Sequence, residues 1–387
     1  MTEQVESAVG PAPSIVEDEM VQGEERVSVA SQWQLTWWKF RKHKLAMAGG
    51  IVTILIYLVA LFVEFLAPFP KEMFAADYTY APPQPLHLFD RSGGGLSYSP
   101  HVFGYAVEID PEALRRTFVV DETQKIPVKF FVHGSEYVWM GIVHSDLHLI
   151  GPEDPSQPMY LLGADRLGRD GLSRTIYGTR ISMSIGLVGV ALSFVLGILL
   201  GGISGYYGGW VDNIIQRVIE FLRSIPTIPL WMALAAALPL TWPPLRIYFG
   251  ITIILSFIGW TSLARVVRGR FLTLRTEDFV LSARLDGVKE MRIIRRHMVP
   301  SFTSHIIAAL TLAIPSMILA ETSLSFLGLG LRPPVVSWGV LLKEAQNVRS
   351  IATAPWLLWP GVAVVVAVLA LNFLGDGLRD AADPYER

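Results

Sequence analysis

The sequence predicts an all-α integral membrane protein with six transmembrane helices and a mostly β segment between the first helix and the second. Hydrophobic residues make up 51% of the 387 residues and charged residues only 17%, whereas about a quarter of the residues in a soluble domain are charged. Six apolar runs reach the roughly 18 residues that a helix needs to cross a bilayer. A long polar segment with short β-branched and aromatic runs separates the first apolar run from the second.

The six apolar runs carry few charges. In the first predicted span, residues 46–67, Glu64 is the only charged residue. The third carries Arg217, Glu220 and Arg223 in its first turns, so we expect it to begin in the water or headgroup layer. The second to sixth spans form a core over residues 179–387 and are predicted at about 181–204, 214–240, 247–264, 302–327 and 356–374.

The N-terminal region lacks the pattern of a cleavable signal peptide. Residues 1–30 are acidic and polar, which predicts a disordered cytoplasmic tail. Residues 31–45 combine Trp33, Trp37 and Trp38 with a basic cluster. This composition fits an amphipathic helix lying in the membrane interface, and it fits a plain stop-transfer flank equally well.

Lysine and arginine residues predict the orientation. They are concentrated before the first span, at 39–44, and between the fourth and fifth spans, at 265–296, whereas Arg246 alone lies between the third and fourth. Basic loops stay in the cytoplasm, so we expect both termini and the 265–300 loop to be cytoplasmic.

The polar segment of residues 68–178 then becomes an extracytoplasmic insertion. Residues 128–132 and 137–143 are predicted to be short strands separated by a turn at 133–136. An extended, loosely ordered loop is the alternative.

Composition and motifs exclude several kinds of chemistry. The chain has no cysteine, so disulfides and thiolate sites are absent. It contains neither a P-loop nor a paired-histidine zinc motif, and the formal net charge of −2 is unlike that of a nucleic-acid-binding protein. We therefore expect no catalytic site, metal or cofactor in this chain.

The loop between the fourth and fifth spans has helical character. Apolar residues recur at three-to-four-residue spacing over 277–296, and Gly287 interrupts the pattern. Two short amphipathic helices at the cytoplasmic face would be a docking surface for a partner. The alternative is a charged surface loop that only sets the topology.

The spacing of Ala283, Gly287 and Met298-Val299-Pro300 resembles the "EAA" coupling motif of ABC importer permeases. The family has Glu-Ala where this chain has Leu281 and Ser282. Further segments resemble the dipeptide, oligopeptide and nickel branch of that family, at 162–170, 177–182, 205–212, 324–330, 337–339 and 374–380. The resemblance implies a type I importer permease fold, and the long 68–160 insertion departs from typical members. It also implies these ATPase-coupling residues: Glu277, Asp278, Ala283, Arg284, Gly287 and Pro300.

The resemblance implies a set of partners in the cytoplasmic membrane of a bacterium or archaeon. These are a second homologous permease subunit, two ATP-binding subunits at the cytoplasmic face, and an extracytoplasmic substrate-binding protein. ATP hydrolysis in the partners would drive alternating access through the 277–296 helices. The implied cargo is short peptides, oligosaccharides or nickel chelates.

Two other functions remain as alternatives. A secondary carrier or channel acting without ATPase subunits would need inverted repeats or ionisable groups in mid-membrane. Glu321, in the fifth span, is the exception to the absence of such charges, and it either lines the translocation pathway or is a hydrogen-bonded packing residue. A signalling or assembly protein would instead work through the outer insertion.

Overall fold

The structure is a computed structural model that describes residues 32–90, 97–109, 116–239 and 241–382. The predicted disordered tail of residues 1–30 lies outside the described residues. The described chain is a helical protein with one small antiparallel sheet.

Among the described residues, five helices are long and apolar enough to cross a membrane, and a bent helix pair brings the number of candidate spans to six if it is counted as one. The helices, in chain order, are α1 (Gln32–Lys42), α2 (Lys44–Leu61), α3 (Val63–Leu66), α4 (Gly171–Tyr207), α5 (Gly209–Ser224), α6 (Thr227–Ala236), α7 (Pro244–Leu274), α8 (Asp278–Leu285), α9 (Glu290–Ile293), α10 (Val299–Ser301), α11 (Thr303–Phe326), α12 (Trp338–Leu342), α13 (Val348–Thr353) and α14 (Trp359–Ala382). Single 3-10 turns lie at Ala76–Tyr78, Lys343–Gln346 and Pro355–Leu358.

The bent pair is α5 and α6, which meet at an angle of 86°. Ile225 and Pro226 lie between them with extended ψ angles of 131° and 125°. A residue before proline is pushed out of the helical region, and proline has no N–H for the helical ladder. The apolar run over 214–240, which was predicted to be the third of the six spans, is therefore divided into two helices.

The α4 helix begins at Gly171, inside the range 68–178 that the sequence pattern assigned to the insertion. Asp170 explains this start, because its carboxylate oxygens accept the N–H groups of Leu172 and Ser173 at 3.3 and 2.7 Å. Such side-chain capping satisfies N–H groups that have no partner within the helix. The polar segment therefore ends at Asp170.

The sheet has the order β1-β2-β3-β4, and its neighbouring strands are antiparallel. The strands are β1 (His87–Asp90), β2 (Ser97–Ile109), β3 (Arg116–Trp139) and β4 (Val143–Pro152). The predicted turn at 133–136 is wrong. These residues lie within β3, where the register with β4 shifts between His133 and Tyr137, as in a β-bulge. The chain turns instead at Met140 and Gly141, whose φ angles are +50° and +74°.

Helices α4 and α7 pack at very short distance. A Cβ placed on Gly201 would lie 2.5 Å from the carbonyl oxygen of Ala264, and one on Gly205 would lie 2.6 Å from that of Arg268. Small residues let two helix backbones approach in a membrane protein. The α4–α7 pair, with α11 and α14 beside it, forms the centre of the helical part.

Candidate coupling surface

The chain after α7 forms two short helices that are separated at Gly287. Gly287 has a φ of +70°, which side chains with a Cβ rarely adopt. Its N–H donates to the carbonyl oxygen of Arg284 at 3.0 Å, and the N–H of Val288 donates to that of Ala283 at 3.1 Å. This pair of bonds is the Schellman motif, in which a left-handed glycine ends a helix. Gly287 thus ends α8 and turns the chain toward α9.

The second of these short helices, α9, changes to a wider helical geometry before the chain reaches the next span. A π-helical turn, Ile294–Met298, follows α9 and leads into α10, which contains Pro300. Because Pro300 has no N–H, the carbonyl of Arg296 lacks its usual i+4 donor. The π-helical turn ends at Met298, two residues before Pro300.

One face of this segment is buried against the spans. Val280 and Ala283 of α8 are buried, and so are Ile293, Ile294 and Met298 of the second helix. These side chains belong to one apolar cluster, which the spans complete with Tyr206, Val267, Phe271, Phe302 and Ile306. Packing of this kind fixes the segment on the helical core.

The opposite face is apolar and exposed. Phe279, Leu281 and Met291 are exposed, and Leu285 is 89% exposed. Soluble or membrane proteins seldom leave several large apolar side chains together in water unless a partner covers them. Here they lie on both sides of Gly287 in the sequence, within α8 and α9.

Arg284 links α8 to the end of α4. Its guanidinium lies 4.7 Å from the centroid of the Tyr206 ring, and its Nε–H donates to the phenolic oxygen at 3.2 Å. Tyr206 is itself buried. A cation held over an aromatic face is attracted by the ring quadrupole. Sequence reasoning missed Tyr206, although it lies within the 205–212 segment that resembles the family.

A second polar cluster joins α4, α5 and α7 nearby. Arg268 donates through Nε and Nη2 to the two carboxylate oxygens of Asp212. The hydroxyl of Ser204 also donates to Asp212 and accepts from the amide of Gln216. Two parallel bonds between guanidinium and carboxylate fix both partners in orientation. The sequence pattern identified neither Asp212 nor Arg268 as a partner of the other.

Glu321 is fully buried in α11 and is surrounded by serine hydroxyls. Ser325 and Ser337 donate to Oε1 at 2.8 and 2.7 Å, and Ser182 of α4 donates to Oε2 at 3.3 Å. Each of these serines also accepts a backbone N–H, from Leu331, Val340 and Trp338 respectively. Each hydroxyl proton is therefore directed at the carboxylate, as in the packing alternative considered for Glu321.

Glu64 lies against α4. Arg180 donates to both of its carboxylate oxygens and to the backbone oxygens of Ala60 and Leu61. The charge of the first predicted span is thus paired with Arg180 of α4, directly before the second predicted span. Their separation in sequence, 116 residues, hides this pairing from any local pattern.

The 162–170 segment forms a charged cluster at the start of α4. Asp165 accepts the N–H groups of Leu167 and Arg169, and its Oδ2 lies 2.7 Å from both Arg169 Nε and Arg174 Nη1. Burial raises the pKa of the neighbouring Asp170 to about 6, although the donors of Leu172 and Ser173 oppose this shift. The cluster connects α4 to the polar segment before it.

Glu344 extends this cluster from the other side. It accepts the backbone N–H of Arg166 at 2.9 Å. Burial raises the pKa of the Glu344 carboxyl, and the negative charge of Asp165 raises it further.

The predicted coupling residues occupy different positions around the segment. Glu277 and Asp278 are exposed at the start of α8, whereas Ala283 faces the spans. Pro300 is exposed in α10, beyond the π-helical turn. The structure brings Ala283, Arg284 and Gly287 together in one capped helix end. Within the described ranges, no group of three or more acidic or histidine residues could hold a metal ion.

Two family profiles match the sequence. The profile described as "binding-protein-dependent transport system inner membrane component" matches residues 197–387. The profile described as "N-terminal TM domain of oligopeptide transport permease C" matches residues 31–83. The sheet lies between the two matched ranges.

Curated relatives agree with these profiles. The dipeptide transport system permease protein DppC of Bacillus subtilis is 38% identical over 60% of this chain and 71% of its own length. The oligopeptide transport system permease protein OppC of the same organism is 34% identical over 63% of this chain and 78% of its own length. OppC of Haemophilus influenzae is 36% identical over 63% and 76%.

Among solved structures, an inward-facing MetNI methionine ABC transporter is similar with a TM-score of 0.42 and 18% identity, over 55% of this chain and 97% of that chain. The dipeptide and oligopeptide permeases have about twice this identity, and their alignments with this chain cover most of each relative's length. The resemblance found in the motifs is thereby confirmed: the chain belongs to the family of binding-protein-dependent transport system inner membrane components.

Proposed function

We propose that this chain is the transmembrane permease subunit of an ATP-driven importer and that its cargo is short peptides. The profiles and the relatives that carry dipeptide and oligopeptide permease names support this proposal. The chain forms part of the translocation pathway and catalyses no reaction. ATP is hydrolysed in separate partner subunits.

The observation that carries the proposal is that residues 277–300, here called the coupling segment, have two different faces. Its inner face is packed into the spans, while its outer face exposes Leu281, Leu285 and Met291. We propose that the outer face docks into an ATP-binding subunit, with Glu277 and Asp278 at the rim of the contact. Apolar side chains in the centre and charges at the edge are the usual composition of a protein interface.

Movement of the docked segment reaches the opposite side of the protein through α4. This helix has 37 residues and therefore a length of about 55 Å. Arg284 holds α8 to Tyr206 at one end of α4, and Ser182 contacts Glu321 farther along it. We propose that these contacts make α4 the element that transmits a displacement of the coupling segment.

Glu321 in this proposal holds the 327–340 segment against α4 and α11. Its three hydroxyl donors occupy three of the roughly four acceptor positions of the carboxylate. The carrier or channel that acts without ATPase subunits is accordingly not favoured. The family match and the docking face both support the ATP-driven importer instead.

We further propose six spans, with the bent α5–α6 pair as the third and with both termini in the cytoplasm. The basic residues at 39–44 and 265–296 support this orientation. The sheet is then an extracytoplasmic insertion. The assembly contains a second homologous permease, two ATP-binding subunits and an extracytoplasmic substrate-binding protein, in a bacterial or archaeal cytoplasmic membrane.

The test is co-purification from detergent after co-expression with the neighbouring genes, for the native chain and for Gly287→Val. No heavy atom lies within 4 Å of a Cβ placed on Gly287, so the substitution acts through its φ of +70° alone. Gly141 is the matched control, because it has a φ of +74° and equally open surroundings but lies in the turn between β3 and β4.

We expect ATP-binding subunits to accompany the native chain and Gly141→Val. We expect Gly287→Val to lose these subunits or to lose transport-coupled hydrolysis. If no ATP-binding subunit associates with the native chain, the importer proposal is wrong. If Gly287→Val behaves like the control, the proposed docking surface is wrong.

A further inference from the structure

Residues 128–139 of β3 and the strand β4 form a hairpin. This hairpin runs along the end of the first candidate span. Four contacts connect this hairpin to residues 62–69, and the contact at the hairpin tip has the partner that lies nearest to α2. They are Val128 with Phe69 in one apolar cluster, His148 Nδ1 with the carbonyl oxygen of Ala67 at 2.7 Å, Phe131 with Phe65 at 6.3 Å between ring centroids, and Trp139 with Phe62 at 5.6 Å. The hairpin therefore points toward the apolar span and not away from it.

Trp139 fixes the tip of the hairpin at the end of α2. Its indole N–H donates to the carbonyl oxygen of Leu61, the last residue of that helix, at 2.9 Å. Its ring is stacked on Phe62 at an interplanar angle of 4°. The turn that follows Trp139 thus lies at the level where the apolar span ends.

The tip is apolar and unpartnered, unlike the rest of the hairpin. Residues 137–143 contain no charge, and Ile142 is 79% exposed, with Met140 and Val143 also exposed. The charged pair Lys129–Glu153 lies at the opposite end of the hairpin. His133 and Asp146, 3.0 Å apart, lie between the two ends, so the charge-free stretch is the tip itself.

The exposed apolar tip is continuous with an exposed apolar stripe of α2. Leu58 and Leu55 precede Phe62 by four and seven residues, which places them on the same helix face, and both are exposed. Of the five candidate spans formed by single helices, α2 has the smallest buried share, 17%. Most of the α2 surface is therefore left uncovered by the rest of the described chain and is open to lipid.

We propose that the hairpin tip, residues 139–143, inserts into the interfacial layer of the bilayer beside α2 and anchors the sheet to the membrane surface. Tryptophan and tyrosine are enriched at that depth, where an aromatic ring meets both apolar and polar surroundings. Residues 128–139 of β3 pair with β4 alone among the described strands, so both outer edges of the hairpin have free backbone groups. Hydrocarbon does not tolerate such edges, and the tip stops at the boundary between headgroups and acyl chains.

The anchor gives the sheet a fixed position relative to the spans. The other contacts named above lie at Phe65, Ala67 and Phe69, which follow α2 along one short stretch of chain. Contact with lipid adds a second attachment surface that is independent of the helical core. Only the hairpin tip is needed to hold the sheet at the membrane, so the rest of the sheet surface remains available for other contacts.

The test uses the absence of native cysteine. The variants Ile142→Cys and Val120→Cys are labelled with the environment-sensitive fluorophore NBD in the full co-purified assembly, reconstituted in lipid nanodiscs. Val120 is the matched control, since it is an apolar β3 residue that is 51% exposed but pairs with Tyr105 of β2, outside the hairpin. Quenching is measured with lipids that carry a nitroxide at the headgroup or at acyl carbon 5, and with aqueous iodide.

We expect the label at position 142 to be quenched several-fold more strongly by both nitroxide lipids than the label at position 120, and to be protected from iodide. Strong iodide quenching with weak nitroxide quenching would place the tip in water and overturn the proposal. Protection from iodide and from both nitroxides would show that protein covers the tip, and the lipid anchor would then be wrong.

Discussion

The Nε–H of Arg284 donates to the phenolic oxygen of Tyr206 at 3.2 Å, with the guanidinium 4.7 Å from the ring centroid. Arg284 belongs to the same helix as the exposed Leu281 and Leu285, and Tyr206 belongs to the buried end of α4. These two side chains thus connect α8, which carries the exposed apolar face, to α4, the longest of the described helices. Its removal should affect transmission more than assembly.

Replacing Arg284 with alanine should lower the number of peptides transported per ATP hydrolysed. The variant loses the cation–aromatic contact and one hydrogen bond, each worth about 0.5–1.5 kcal/mol, while the buried apolar face of α8 is retained. Transport and hydrolysis are measured together in proteoliposomes. Tyr206→Phe, which keeps the ring but not the hydroxyl, should have an intermediate effect.

Arg217→Ala is the control for the Arg284 variant, because its side chain is 83% exposed on α5 and pairs only with Glu220 in the salt bridges of the described chain. Its coupling ratio should equal that of the native protein. An unchanged ratio for Arg284→Ala would show that the Arg284–Tyr206 contact transmits nothing.

The ion pair between Asp212 and Arg268 should contribute strongly to stability. The side chains are only 12% and 31% exposed, and removing one partner leaves the other charge without compensation. We expect Asp212→Ala to lose about 2–3 kcal/mol, less than a fully buried pair would lose. The measurement is the half-life of the purified assembly during heating, since membrane complexes rarely unfold reversibly.

The double variant Asp212→Ala with Arg268→Met should recover part of that loss, because no uncompensated charge remains. Additive losses in the double variant would mean that the two side chains act independently.

Substitution of Gly201 should disrupt the close packing of α4 on α7. A Cβ at Gly201 would lie 2.5 Å from the carbonyl oxygen of Ala264, so Gly201→Leu forces the helices apart. We expect loss of folded protein, measured as the monodisperse fraction in detergent. Gly269 of α7 is the control. A Cβ placed on Gly269 would have no heavy atom of another group within 4 Å, and Gly269→Ala should be neutral or gain up to about 1 kcal/mol from higher helix propensity.

Local sequence patterns predicted the parts of this fold that depend on composition over many residues. The apolar runs identified the candidate spans, and the interrupted periodicity at Gly287 identified two short helices. Patterns failed where a single residue decides between two local geometries. Residues 133–136 form a bulge inside one strand and not a turn, and Pro226 divides an apolar run that proline alone does not always break.

The polar partners of the site were beyond the reach of sequence reasoning for a different reason. Arg284 and Tyr206 are 78 residues apart, and Ser182 and Glu321 are 139 apart. Such pairs depend on how helices pack and not on any local pattern. The tyrosine at 206 lay in a segment already singled out for its resemblance, which was the one available signal.

Glu321 should behave as a residue that holds structure and not as one that selects cargo. Glu321→Ala leaves the hydroxyls of Ser182, Ser325 and Ser337 without their shared acceptor, which costs about 1–3 kcal/mol for each unsatisfied buried group that cannot rearrange. We expect a shorter half-life on heating with an unchanged KM for peptide transport. A variant of native stability whose KM is altered would instead place Glu321 in the pathway.

Glu344 should make stability depend on pH. Burial and the charge of Asp165 raise its pKa above the ordinary 4.5, so the folded protein favours the protonated carboxyl. Stability from this group is complete below about pH 4.5 and is lost as the pH rises from there to the raised value. Glu344→Gln keeps an oxygen that accepts the N–H of Arg166 but cannot ionise. The half-life of this variant on heating should equal that of the native assembly at about pH 4 and exceed it increasingly as the pH rises to the raised pKa of Glu344. A constant difference across this range would show that folding does not raise the pKa of Glu344, and that its hydrogen bond to Arg166 balances the cost of burial.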